Sequence, residues 1–130
     1  MNIKELIESA HSNAKNKGFY DNPDKNIGEL LMLIVSELGE ALEAHRKDNF
    51  VNFERYNQQV NLLKKSGATQ EQSEGIAFKM ELSSSFEFEI ADAVIRIADM
   101  CGYLNIDLEK HIELKMKYNE TREYKHGKKY

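Results

Sequence analysis

Apolar residues recur at helical spacing along most of the chain. Ile3, Leu6, Ile7, Ala10 and Ala14 lie on one face of a first helix, which the Lys17–Gly18 pair should stop. Asn26 followed three residues later by Glu29 reads as a capping box. It opens a second helix, whose stripe of Ile27, Leu30, Leu31, Ile34, Leu38, Ala41 and Leu42 runs to about Arg46. Phe53, Tyr56, Val60 and Leu63 mark a short helical face. The polar, Gly-containing run 64–75 reads as a flexible connection, and 76–82 alternates apolar with polar, which leaves a short extended piece open. Ser84 and Glu87 form a second capping-box pattern, from which a long helix should run to about Leu104. Asp107 can cap a last helix, continuing to about Arg122, and the tail from Glu123 has no periodicity. Four main helices without a convincing sheet predict an all-α, four-helix-bundle-like fold in a single domain, 1–130, with 49–83 as an inserted or variable connection.

Two of these helices carry an unexpected polar pattern. "IVSELGEALEA" holds Glu37 and Glu40 three residues apart, and "FEFEIADAVIRIADM" repeats the spacing with Glu89 and Asp92. Residues i and i+3 are neighbours on one helix face. Glu37 falls at the edge of the apolar stripe, whereas Glu43 points away from it. The second stretch is apolar nearly all round, with one polar stripe of Glu89, Asp92, Arg96 and Asp99. Any one of these acids alone suits a solvated face. Together they do not, because so apolar a helix has little surface left to expose. If the polar edges face each other, carboxylates about 6 Å apart repel by about 3 kcal/mol at an effective dielectric near 20. Arg96 alone would not offset four of them, but a divalent cation would, and Mg²⁺ or Mn²⁺ prefers all-oxygen sites. A di-iron bundle would want Glu-x-x-His on two helices, and the single instance, Glu123 with His126, sits in the tail.

On the last helix His111, Lys115, Tyr118, Asn119 and Arg122 share a face with Leu108 and Ile112. Cations continuing a core-facing stripe would point into a cleft and suit phosphate oxygens. Basic residues near a helix C-terminus also simply complement its dipole. His11, on the apolar face of the first helix, reads as a core histidine before a ligand contact, and Cys101 as core.

Charge refines the class. The net charge is −4, yet residues 110–130 hold seven Lys or Arg against three Glu, leaving −8 for the first 109 residues. An acidic body argues against nucleic acid as the main partner, since non-specific binding needs a broad basic surface. No stretch approaches the ~20 apolar residues that span a bilayer. The opening segment is neither a secretory signal nor a typical transit peptide, and one cysteine cannot form an internal disulfide. The expected setting is cytoplasmic. The apolar third long helix also predicts a homo-oligomer, with a dimer the expected form.

With these residues in place, the sequence resembles the MazG-like, all-α nucleoside triphosphate pyrophosphohydrolase superfamily. The resemblance rests on "SELGEALEA", on "FEFEIADAVIRI" and on "GYLNIDLEKHIELKMKYNETREYKHGKK", with a familial opening in "AHSNAKNKGFYD". It covers about 3–48 and 84–130. It implies a Mg²⁺-dependent enzyme, with Mn²⁺ a substitute, that splits an NTP or dNTP into the monophosphate and pyrophosphate, in a house-cleaning role. Glu37, Glu40, Glu89 and Asp92 would be the metal ligands, with Glu37 or Glu40 also orienting the attacking water. Lys115, Asn119 and Arg122 would contact the phosphates. Two features depart from the family pattern: Ser36 stands where the first motif commonly carries another glutamate, and the connection 41–88 is longer than in the simplest members. The alternative is a non-catalytic helical oligomer binding a nucleotide or protein partner, with Ser36 marking a decayed site.

Overall fold

Side-chain caps set most of the helix starts. Asn2 and Glu5 close a reciprocal capping box, as do Thr69 and Gln72, and the side chains of Asn26, Asn52 and Asp107 each accept one backbone N–H of the following turn. Each such cap is worth ~1 kcal/mol. The computed structural model describes residues 1–130. It contains α1 (Ile3–Asn16), α2 (Ile27–Arg46), α3 (Phe53–Lys65), α4 (Gln70–Glu81), α5 (Phe86–Tyr103) and α6 (Leu108–Glu120), followed by a 3₁₀ turn at Tyr124–Gly127. There is no strand, so the fold is all-α. No helix is long and apolar enough to cross a membrane.

Two expectations need correction. The expected connection 64–75 shrinks to the turn at 66–69, and most of 70–82, including the expected extended piece, is α4, opened by the Thr69–Gln72 box. Its stripe is weak because its buried positions are the small residues Ser73 and Ala77. The Ser84–Glu87 box does not form either: α5 starts at Phe86, and Glu87 accepts the Val51 N–H at 2.9 Å. A backbone donor distant in sequence takes the carboxylate that the local pattern assigned to Ser84.

Contacts divide the chain into two units, residues 24–96 and residues 1–23 with 97–130. In the central unit (24–96) α2 buries Ile34, Glu37, Ala41 and Ala44, spaced 3, 4 and 3. Helices α3 and α4 pack on each other around Val60 and Ala77, with an Arg55–Glu81 ion pair of 3.2 Å at their side. Asn49 ties the end of α2 to the start of α5. Its carbonyl accepts the Phe86 N–H at 2.9 Å, and its side-chain amide donates to the Ser84 carbonyl at 2.8 Å. His45, Phe50 and Phe86 stack edge-on beside it.

The terminal unit (1–23 and 97–130) holds α1, the last turns of α5 and α6. As the sequence predicts, α1 ends at the Lys17–Gly18 pair, with Gly18 at φ +86°, a left-handed value that favours glycine. Ala98 and Cys101 of α5 are buried here. Gly102 lets α1 come close, since a Cβ at this position would lie 2.6 Å from the His11 Cβ. Helix α6 buries no residue completely.

Candidate metal centre

The carboxylates come from α2 and α5 of the central unit. Glu37 continues the buried stripe Ile34–Ala41 and is 8% exposed, while Glu89, one turn into α5, is 7% exposed. Asp92 follows one turn later and is solvent-accessible. One oxygen from each of Glu37, Glu89 and Asp92 lies within 4.8 Å of the others. The i, i+3 spacing on α5 and the burial of Glu37 on α2 therefore bring together three of the four acids expected to hold a metal. The fourth, Glu40, is exposed and outside this cluster, but its carboxylate acts on Glu89 electrostatically.

The electrostatics follow from this crowding. Burial, then the neighbouring Glu40 carboxylate, then Asp92 and Glu37 push the Glu89 carboxyl up to about 7. Asp92 is also raised, by burial and by Glu37, although Arg96 pulls the other way. Arg96 is the one cation paired with the cluster, its Nε donating to Glu37 Oε1. Glu43 is exposed and pairs with Arg46 at 2.8 Å and Lys47 at 3.9 Å, yet it also lines a cavity beside Glu40 and Glu89 rather than pointing away from the site.

A cavity of about 470 Å³ opens on the Glu40 and Glu89 side of the cluster. Ser36, Gly39, Lys47, Asn49 and Ser84 complete much of its wall. The Ser36 hydroxyl donates to the Leu33 carbonyl at 2.6 Å, a bond back into its own helix. The sequence does not single out Lys47 or Asn49, and it marks Ser84 only as a helix cap. No local pattern places them at this site, because Asn49 and Ser84 meet only through hydrogen bonds between residues 35 apart.

No protein-family model, curated protein or solved structure matches the chain. The chemistry must therefore be read from the residues. Three convergent carboxylate oxygens, two of them on buried side chains, form a hard, all-oxygen donor set that fits Mg²⁺, Mn²⁺ or Ca²⁺ better than a soft metal. Three carboxylates face one paired cation, Arg96, and the neighbouring acids add to burial in raising Glu89.

The remaining predicted residues belong to the terminal unit. Lys115 Nζ and Arg122 Cζ lie 5.1 and 5.7 Å from the Tyr118 ring centroid, so the three form one cationic–aromatic patch at the end of α6 and the residues just after it. Arg122 also donates to the His126 carbonyl at 3.3 Å, and Asn119 Oδ1 is buried without a partner. Lys115 and Tyr118 are exposed, as is Ile112, so the expected core-facing stripe is not formed. A second cavity, of about 690 Å³, is lined by α1 and the α5–α6 junction and includes His11 and Cys101 but none of these residues. His11 Nδ1 lies 2.8 Å from Asp99 Oδ1, and the Tyr20 hydroxyl donates to the same oxygen at 2.9 Å. Asp99, grouped by spacing with the metal-site stripe, thus serves α1 instead.

Proposed function

We propose that the chain is a Mg²⁺-dependent nucleoside triphosphate pyrophosphohydrolase, cleaving an NTP or dNTP to the monophosphate and pyrophosphate. The observation that carries this reading is the convergence of Glu37, Glu89 and Asp92, whose oxygens approach within 4.8 Å while Arg96 offsets only part of their charge. The motif resemblance around these residues supplies the reaction.

In this reading Glu37, Glu89 and Asp92 hold the cation. Held there, such a cation would offset part of the triphosphate charge and lower the pKa of a water it binds. Glu40, exposed and lining the same cavity as Glu89, is the carboxylate available to orient that water and take its proton. The motif resemblance assigns phosphate contacts to Lys115, Asn119 and Arg122. For Arg122, that role predicts a raised KM in Arg122→Ala with the fold intact.

The reading includes a homodimer. Leu31, Val35, Leu38 and Leu42 of α2, at i, i+4, i+7 and i+11, are each about half exposed and make an apolar stripe that a second copy would cover. A monomeric mass by light scattering at micromolar concentration contradicts it.

The catalytic proposal is tested by pyrophosphate release from a panel of nucleoside triphosphates with Mg²⁺, for wild type, Glu89→Gln and Asp92→Asn. Activity confined to wild type supports the assignment. Equal inertness across the panel removes the enzymatic reading, and equal activity places the chemistry elsewhere.

A further inference from the structure

Arg96 holds the same carboxylate that the metal reading needs. Its Nε donates to Glu37 Oε1, and a Glu37 oxygen is one of the three that converge within 4.8 Å. The two partners differ in freedom. The Glu37 side chain is 10% exposed and fixed in the α2 stripe, whereas the Arg96 side chain is 43% exposed at the edge of α5. Only Nε is engaged, so both Nη groups keep their donors for another acceptor. A divalent cation on Glu37 and a guanidinium on the same carboxylate repel each other, so the two compete. The paired Nη donors of a released guanidinium match a phosphate oxygen pair.

The geometry points to Arg96 as an exchanging counter-cation: it neutralises Glu37 in the metal-free protein, yields that carboxylate to a divalent cation, and then binds the phosphate that accompanies the cation. This inference rests on the metal reading above and adds a role for Arg96 that the carboxylates alone do not require. A purely structural ion pair is the competing account.

Calorimetric titration with Mn²⁺ separates the two, using wild type, Arg96→Gln, Arg96→Lys and Glu89→Gln, each checked for its thermal melt. Competition predicts that Arg96→Gln binds Mn²⁺ roughly five-fold tighter than wild type, while Arg96→Lys, which keeps the charge, stays close to wild type. With Mn²⁺ saturating, inorganic tripolyphosphate should bind Arg96→Gln roughly ten-fold more weakly, and Arg96→Lys should recover part of the loss. Unchanged or weakened Mn²⁺ binding in Arg96→Gln, with binding still lost in Glu89→Gln, makes Arg96 structural and overturns the proposal while the metal reading stands. Tighter Mn²⁺ binding without any loss of tripolyphosphate removes the phosphate role. Mn²⁺ binding that is absent from wild type, or equal in wild type and Glu89→Gln, removes the metal site itself. Arg96→Lys keeps the test open if Arg96→Gln does not fold.

Discussion

Helix α5 carries two sets of acids that meet opposite fates. Asp99, near its end, receives the His11 imidazole at 2.8 Å and the Tyr20 hydroxyl at 2.9 Å on one oxygen. Glu89 and Asp92, in its first half, meet Glu37 and Glu40, and the single cation Arg96 pairs with Glu37. Donors surround the first acid, and other acceptors surround the second pair. An acid surrounded by donors is explained by the fold. Acids held against each other raise the energy of the folded chain, and a cation is the partner that would relieve it.

The comparison breaks most visibly at Glu89. Glu89→Gln should lower pyrophosphate release by at least ~100-fold, since losing even a residue that only supports a metal ligand costs about 10–100-fold, whereas Asp99→Asn should leave Mn²⁺ affinity unchanged in calorimetry. Removing the metal with a chelator should abolish the activity of wild type, and added Mg²⁺ should restore it.

The next largest effect is on stability against pH. Glu89 is raised from 4.5 to about 7 in the folded protein, so its ionised form is the disfavoured one. Stability from this group is complete below about pH 4.5 and is lost as pH rises through about 7. Metal-free wild type should therefore lose up to about 3 kcal/mol relative to Glu89→Gln between about pH 4.5 and 8, read by urea melts. Parallel pH curves for the two proteins would mean that the carboxylates do not crowd.

Asp99→Asn should act in the opposite sense and cost about 2 kcal/mol near neutral pH, since it weakens two hydrogen bonds to a charged acceptor. Gly102→Ala, which forces a Cβ to within 2.6 Å of the His11 Cβ, should cost about 1–2 kcal/mol in the same melts. The smallest effect belongs to Ser36. Its hydroxyl bonds back to Leu33, so Ser36→Ala should change stability by under ~0.5 kcal/mol and leave Mn²⁺ affinity within about two-fold.

What could be read from the sequence followed from how local each signal was. The bounds of α2 and α6 and the caps at Asn26 and Asp107 lie within a few residues of chain, and the structure keeps them. The convergence of Glu37, Glu89 and Asp92 was legible because i, i+3 acids on an apolar helix have few places to go. Helix α4 was missed although its Thr69–Gln72 box stands in the sequence, since Ser73 and Ala77 are too small to mark a stripe. Glu87 was misassigned because its partner, the Val51 N–H, lies 36 residues away. Asp99 shares its spacing with Asp92 and Arg96, and only the approach of α1 at Gly102 separates its role from theirs.

The central claim is that the α2 and α5 carboxylates form a divalent-cation site, and a calorimetric Mn²⁺ titration at about pH 8 tests it most directly. Wild type should bind Mn²⁺ with saturation, and Glu89→Gln should lose that binding while remaining folded and, without metal, more stable than wild type. Equal Mn²⁺ binding by the two proteins, or none by wild type, would contradict the account.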